Sequence, residues 1–206
     1  MKKSAFPILA LMLAPIASGQ DTSDSSFIEN LQVYGNCAVS DSIDMFTDEV
    51  THGLFCIQSN LTDKTQIGFA VYPLGMFGDH AERAELRMRG IGPYLPYVSI
   101  SKGSQFHMED SIEVAIRVDR GELFTGEWDF GSNGDASCFP TLGAGPHCTL
   151  ELFQRLLIDV ANGERIAIKV GAESGNVLLE GSYEAVADFL ERVQDKIPTI
   201  ILPIQD

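Results

Sequence analysis

Along much of this chain, hydrophobic and polar positions alternate with the two-residue period of a half-buried strand. The pattern is cleanest over residues 112–119: Ile112, Val114, Ile116 and Val118 fall on one face, and Glu113, Ala115, Arg117 and Asp119 on the other. Arg120-Gly121-Glu122 turns the chain, and residues 123–130 return with the single tryptophan, Trp128. Residues 27–39, 54–59 and 67–72 read as further strands, and residues 84–88 alternate Ala84, Leu86 and Met88 with charged neighbours. Residues 90–96 and 131–135 read as loops, and residues 40–52, with Asp41, Asp44, Asp48 and Glu49, as a solvated acidic loop rather than a cation site.

The period lengthens after Thr149. Leu150, Phe153, Leu157 and Val160 share a helical face, with Thr149 as its cap and Gly163 at its stop. Residues 165–170 alternate as a strand, Ser174-Gly175-Asn176 turns, and residues 177–180 pair back. Ser182 is then expected to cap a last helix with Val186, Phe189, Leu190 and Val193 inward, ended by Pro198. Residues 199–204 form an apolar tail. Seven or more short strands against two helices predict a mainly β fold: a β-sandwich or open barrel with two short capping helices. An α+β sheet with both helices on one face is the alternative.

The N-terminus changes this picture. Met1-Lys2-Lys3, an apolar run over residues 5–16 and the small residues Ala17-Ser18-Gly19 describe a secretory signal peptide. That run is shorter than the roughly 20 apolar residues a bilayer-spanning helix needs. Residues 1–19 are therefore expected to be removed, leaving 20–206 as a single β-rich domain in the periplasm or outside the cell. Losing Lys2 and Lys3 takes the net charge from −15 to −17. A balance so acidic excludes phosphate-driven binding to nucleic acid or anionic membrane, and it favours a soluble monomer.

All four cysteines, Cys37, Cys56, Cys138 and Cys148, lie after the signal. In an oxidising compartment an even count reads as a disulfide framework, with the sequence neighbours Cys37–Cys56 and Cys138–Cys148 the expected pairs. The rival, a zinc ion held by all four, lacks the close C-x-x-C spacing of such sites.

No sequence motif assembles a catalytic group. His52, His80, His107 and His147 form no zinc-hydrolase spacing, and Gly171-Ala-Glu-Ser174-Gly175 has its serine one place late for a nucleophile elbow. Cys138 and His147 could serve as nucleophile and base, but a cysteine expected in a disulfide is no nucleophile. The stretch from Asp129 to Asp135 lacks the alternating carboxylates of a calcium loop. No metal or cofactor is expected. Arg83, Arg87 and Arg89 would share one strand face. With Trp128 they are the candidate binding residues, since Arg and Trp are enriched where interfaces are strongest.

Several of these features together resemble the invasion-associated locus B family of exported bacterial proteins. Those features are the strand Val114-Ala-Ile-Arg-Val-Asp119 with Gly121, then Cys138 and Cys148, then a helix, a strand and Leu179-Glu180-Gly181-Ser182 opening a last helix. Cys37, Cys56 and the turn Val71-Tyr-Pro-Leu-Gly75 resemble the family's front half. The resemblance implies a periplasmic or secreted, non-catalytic binding or envelope-associated protein, linked in some pathogens with host-cell entry, whose partner is an unidentified protein or envelope component. The alternative expectation is a small periplasmic hydrolase using scattered acidic residues or His147.

Overall fold

The computed structural model describes residues 26–59, 64–76, 92–101, 111–130, 135–138 and 149–197. The expected signal peptide, the stretch 84–88, residues 131–134 of the calcium-like stretch, Pro198 and the apolar tail lie outside these residues.

Among the described residues ten strands form one antiparallel sheet. They are β1 (Ser26–Tyr34), β2 (Cys37–Asp44), β3 (Val50–Ser59), β4 (Lys64–Pro73), β5 (Tyr94–Ser101), β6 (Ser111–Val118), β7 (Phe124–Phe130), β8 (Asp135–Cys138), β9 (Arg165–Val170) and β10 (Glu173–Leu178). Their spatial order is β1-β2-β3-β4-β5-β8-β7-β6-β9-β10. The sheet is open but curled, and β10 comes back close to β3 and β4 without pairing to them. Two helices, α1 (Leu150–Asn162) and α2 (Ser182–Val193), pack against each other, α1 toward β5 and α2 toward β1, β2 and β3. The expectation of a mainly β chain with two short helices holds. Among the described residues no helix is long and apolar enough to cross a membrane.

The core follows from strand register. Cys37 lies opposite Cys56, Val39 opposite Leu54, Leu54 opposite Phe69, and Phe69 opposite Val98, so all project to the same face. That face, with Val114, Ile116 and Val118 of β6, forms one cluster with Phe153, Leu156 and Leu157 of α1 and Val186, Phe189 and Val193 of α2. Phe153 meets Phe69 edge-on, with ring centroids 5.7 Å apart. The central strands are buried on both faces: Phe55, Ala70, Leu95 and Tyr97 are covered on the opposite side, where Tyr72 lies edge-on to Tyr97.

The ends of the sheet are tied together at one place. In the β1–β2 turn Gly35 has φ +57°, and a Cβ there would strike the carbonyl of Glu180. Gly181, with φ +77°, lies equally close to the carbonyl of Tyr34. Two left-handed glycines thus let two backbones touch. Asn36 seals the contact, its N–H donating to the Glu180 carbonyl (2.9 Å) and its Nδ2 to the Leu178 carbonyl (3.2 Å).

Several local expectations are corrected. Of the solvated loop expected over residues 40–52, only 45–49 lies outside the strands: β2 continues to Asp44 and β3 begins at Val50, because the ladder from the Cys37–Cys56 pair carries on through polar residues. The β9–β10 hairpin turns at Gly171 (φ +56°), and Ser174, Gly175 and Asn176 belong to β10. Ser182 does not cap α2. Gly181 holds the cap position, and Ser182 is a buried first residue of the helix. Residues 27–39 are two strands broken at Gly35, and β5 and β8 take in residues 94–96 and Asp135, the last parts of two stretches expected as loops.

Candidate functional site

Four residues along each strand from the disulfide, the core-facing row becomes polar. Asp41 of β2 lies directly opposite His52 of β3. Both residues are 8% exposed, and His52 neighbours Val71 on its other side. A polar pair at two positions of an otherwise apolar row must be hydrogen-bonded to be tolerated there. Asp41 is: its Oδ1 lies 2.8 Å from Nδ1 of His52 and accepts from Nη1 of Arg192 (3.1 Å), and its Oδ2 accepts from Nδ2 of Asn30 (2.8 Å).

Each partner is placed by a local feature of the fold. Asn30 has φ +51° and sits where the β1–β2 register shifts, so a bulge turns its amide toward Asp41. Arg192 and Asp188 are four apart on α2, and the guanidinium grips the Asp188 carboxylate through Nε (2.8 Å) and Nη2 (2.9 Å). Arg192 also donates to the Asn30 carbonyl (3.1 Å), and the Tyr34 hydroxyl donates to Asp188 (3.0 Å).

The charges follow from these contacts. Burial pushes the Asp41 carboxyl up, but hydrogen bonds from Asn30, His52 and Arg192 prevail and hold it below its ordinary value. Burial likewise opposes the charge on Arg192, and its two carboxylate partners raise its pKa despite that. The Tyr34 hydroxyl is raised chiefly by its hydrogen bond to Asp188. Asp41 is therefore an ionised acceptor, and the Nδ1 facing it carries the hydrogen. The other ring nitrogen of His52, Nε2, is buried with no hydrogen-bond partner.

His52 borders a pocket of about 540 Å³. The β2–β3 loop supplies Asp48 and Glu49. Hydrogen bonds fold this loop: Asp44 Oδ1 accepts from the amides of Phe46 (2.8 Å) and Thr47 (2.9 Å), and the Asp44 amide donates to the Glu49 carbonyl (3.0 Å). Val50, Pro73, Leu74 and Pro93 give an apolar side, fixed by a bond from the Leu74 amide to the Pro93 carbonyl (2.7 Å). Lys196, just past α2, closes the rim. Its ammonium donates to the Arg192 carbonyl (3.0 Å) and to Asp195 (3.1 Å) and lies 5.9 Å from the centre of the Tyr94 ring.

The residues singled out in the sequence lie elsewhere. Cys37 and Cys56 are disulfide-bonded, with Cα atoms 4.0 Å apart. Cys138 is buried and disulfide-bonded, while Cys148 falls outside the described residues. Arg83, Arg87, Arg89, His80, His107 and His147 also fall outside them. Trp128 is a correction: it is 2% exposed and belongs to the core, because its β7 position opposite Ile112 faces inward. It borders a cleft of about 240 Å³ beside Phe124 and Leu152. Asp129 lies in β7 and Asp135 in β8, and burial pushes the Asp135 carboxyl up. Among the described residues no group of three or more His, Cys, Asp or Glu side chains could hold a metal ion. Sequence reading missed Asp41 and His52, although the expected disulfide contained the signal: if Cys37 and Cys56 are opposed across a ladder, so are Asp41 and His52.

Comparisons with family models, with curated proteins and with solved structures gave no match, so the resemblance to the invasion-associated locus B family rests on the quoted residues alone.

Proposed function

We propose that this chain is an exported, envelope-associated binding protein rather than an enzyme, and that its recognition site is the pocket beside His52. One observation carries the reading: a buried histidine with one nitrogen fixed by an ionised carboxylate and the other left without a partner in a pocket wall. Unpartnered buried polar atoms are costly, on the order of 1–3 kcal/mol, and a ligand that supplies the missing partner recovers that cost on binding. The network of Asn30, Asp188 and Arg192 holds Asp41 and, through it, the imidazole, as a preformed site requires.

A thermal-shift screen of small polar metabolites on the protein and on His52→Gln tests this. Compounds that raise the melting temperature of the parent should lose their effect in the variant, and equal stabilisation of both would place recognition elsewhere. Export is tested separately by the intact mass of the native protein, which should begin at Gln20.

A second reading has one observation in its favour. Asp41 orients His52 much as an acid orients a catalytic base. The pocket wall contains no serine, threonine or cysteine among the described residues, so such an enzyme would have to activate water directly. Hydrolytic turnover abolished by His52→Gln, with melting unchanged, would replace the binding reading with this one.

A further inference from the structure

We propose that β1 is an interface to a second copy of this chain, the two β1 strands pairing antiparallel about a two-fold axis between Asn30 and Leu31. Among the described residues β1 stands at the end of the sheet, with β2 as its one neighbour. A strand in that position offers a row of backbone donors and acceptors to another chain, and charged side chains are the usual guard against it. That guard is nearly missing. Phe27, Ile28, Leu31 and Val33 are exposed, Val33 to 68%, and Glu29 is the single charged side chain of the nine-residue strand. The far end of the sheet differs, since β10 curls back close to β3 and β4.

The register selects a second copy as the occupant. Phe27, Glu29, Gln32 and Tyr34 stand opposite Ile43, Asp41, Val39 and Cys37, the row of β2 that begins at the disulfide. They therefore share one side of β1, while Ile28 and Val33, opposite Ser42 and Ala38, share the other. The bulge at Asn30, where the register shifts, makes this pattern of sides read the same in both directions. Opposed residues of an antiparallel pair share a side, so such a strand matches a reversed copy of itself. Phe27 then meets Tyr34 of the second copy, Ile28 meets Val33, and the Glu29 carboxylate meets the Gln32 amide. The two bulges fall together on the axis and leave both arms in register. A regular strand from another protein would lose that register at the bulge. Charge points the same way: two chains of net charge −15 repel, and they can meet where nine residues carry one charge. An interface this narrow is weak and reverses on dilution.

Sedimentation of the full chain from micromolar to near-millimolar concentration should show a monomer–dimer equilibrium. Val33→Lys, at an exposed position where folding is not at stake, should weaken association roughly tenfold or more and leave the melting temperature unchanged. Ile28→Lys should do the same, and combining it with Val33→Glu should restore the dimer, because this register sets the two new charges opposite each other. Methyl NMR gives a direct reading. Within one chain Ile28 and Val33 are separated by roughly 15 Å of strand, so contact between their methyl groups comes from the second copy. A chain that stays monomeric throughout would overturn the proposal and leave this edge to a segment of another protein. A dimer indifferent to Val33→Lys would place the contact elsewhere, and one weakened by both single changes but not restored by the pair would overturn the antiparallel register.

Discussion

Arg192 is the residue on which the polar site depends. Its guanidinium serves Asp41, Asp188 and a β1 carbonyl at once, with its own side chain 15% exposed and the two acids 11% and 18%. Removing one partner of a buried charge pair leaves the other desolvated and uncompensated, a loss of about 3 kcal/mol or more. Arg192→Met should therefore lower stability by about 3 kcal/mol in urea titration, and adding Asp41→Asn should cost less than the sum of the two single changes. Asp41 also sets a pH dependence. Its folded pKa is below the ordinary 3.8, so its contribution is fully present above that value and is lost as pH falls through the lower folded value. Unfolding free energies measured from pH 6 to pH 2 should show a decline below pH 4 that is shallower in Asp41→Asn.

At the scale of elements, the two helices and the face they cover are one packing unit. Thr149 caps α1 through its hydroxyl, which accepts from the Leu152 amide (3.1 Å), and Glu151 favours the same helix end. Thr149→Ala should cost about 1 kcal/mol. Phe153, fully buried and edge-on to Phe69, is a different case: Phe153→Ala opens a cavity between helix and sheet and should cost about 3–5 kcal/mol. Chemical denaturation of the two variants checks the ratio, and comparable losses would mean that the helix does not anchor the sheet as described. The alternating strands and the amphipathic helices were legible in the sequence because burial there is set by simple periodicity. The β2–β3 hairpin was not. Its strands run on through Ser40, Asp41, Ser42 and His52, whose polarity reads as loop, and only pairing across the ladder makes them strand.

For the whole molecule, the disulfide and the double-glycine contact decide how the curled sheet holds its shape. Cys37–Cys56 joins adjacent strands at the same end of the sheet where Gly35 meets Glu180 and Gly181 meets Tyr34. A loop of 19 residues' separation predicts a loss of about 3 kcal/mol on removing the bond in the chain-entropy account. Cys37→Ala/Cys56→Ala should lower the denaturant midpoint accordingly while keeping the Asp41–His52 pairing, because the ladder from Ala38–Phe55 to Ile43–Val50 remains. Loss of the His52 NMR environment in that variant would show instead that the disulfide, not the ladder, sets the register.

By itself the sequence determined the mainly β character, the two helical faces and the cap at Thr149, because each is written in the spacing of a few neighbouring residues, and the Cys37–Cys56 pair followed from an even count of cysteines taken as sequence neighbours. Tertiary structure alone decided the burial of Trp128, the meeting of Gly35 with Gly181, and the site at His52. Those depend on residues far apart in the chain: Asn30 from a bulge in β1, Asp41 and His52 from facing strands, and Arg192 from the last turn of α2. No local pattern encodes such a convergence. It arises when sheet curl and helix packing bring the groups within hydrogen-bonding distance, where an unpaired charge would otherwise be too costly to bury.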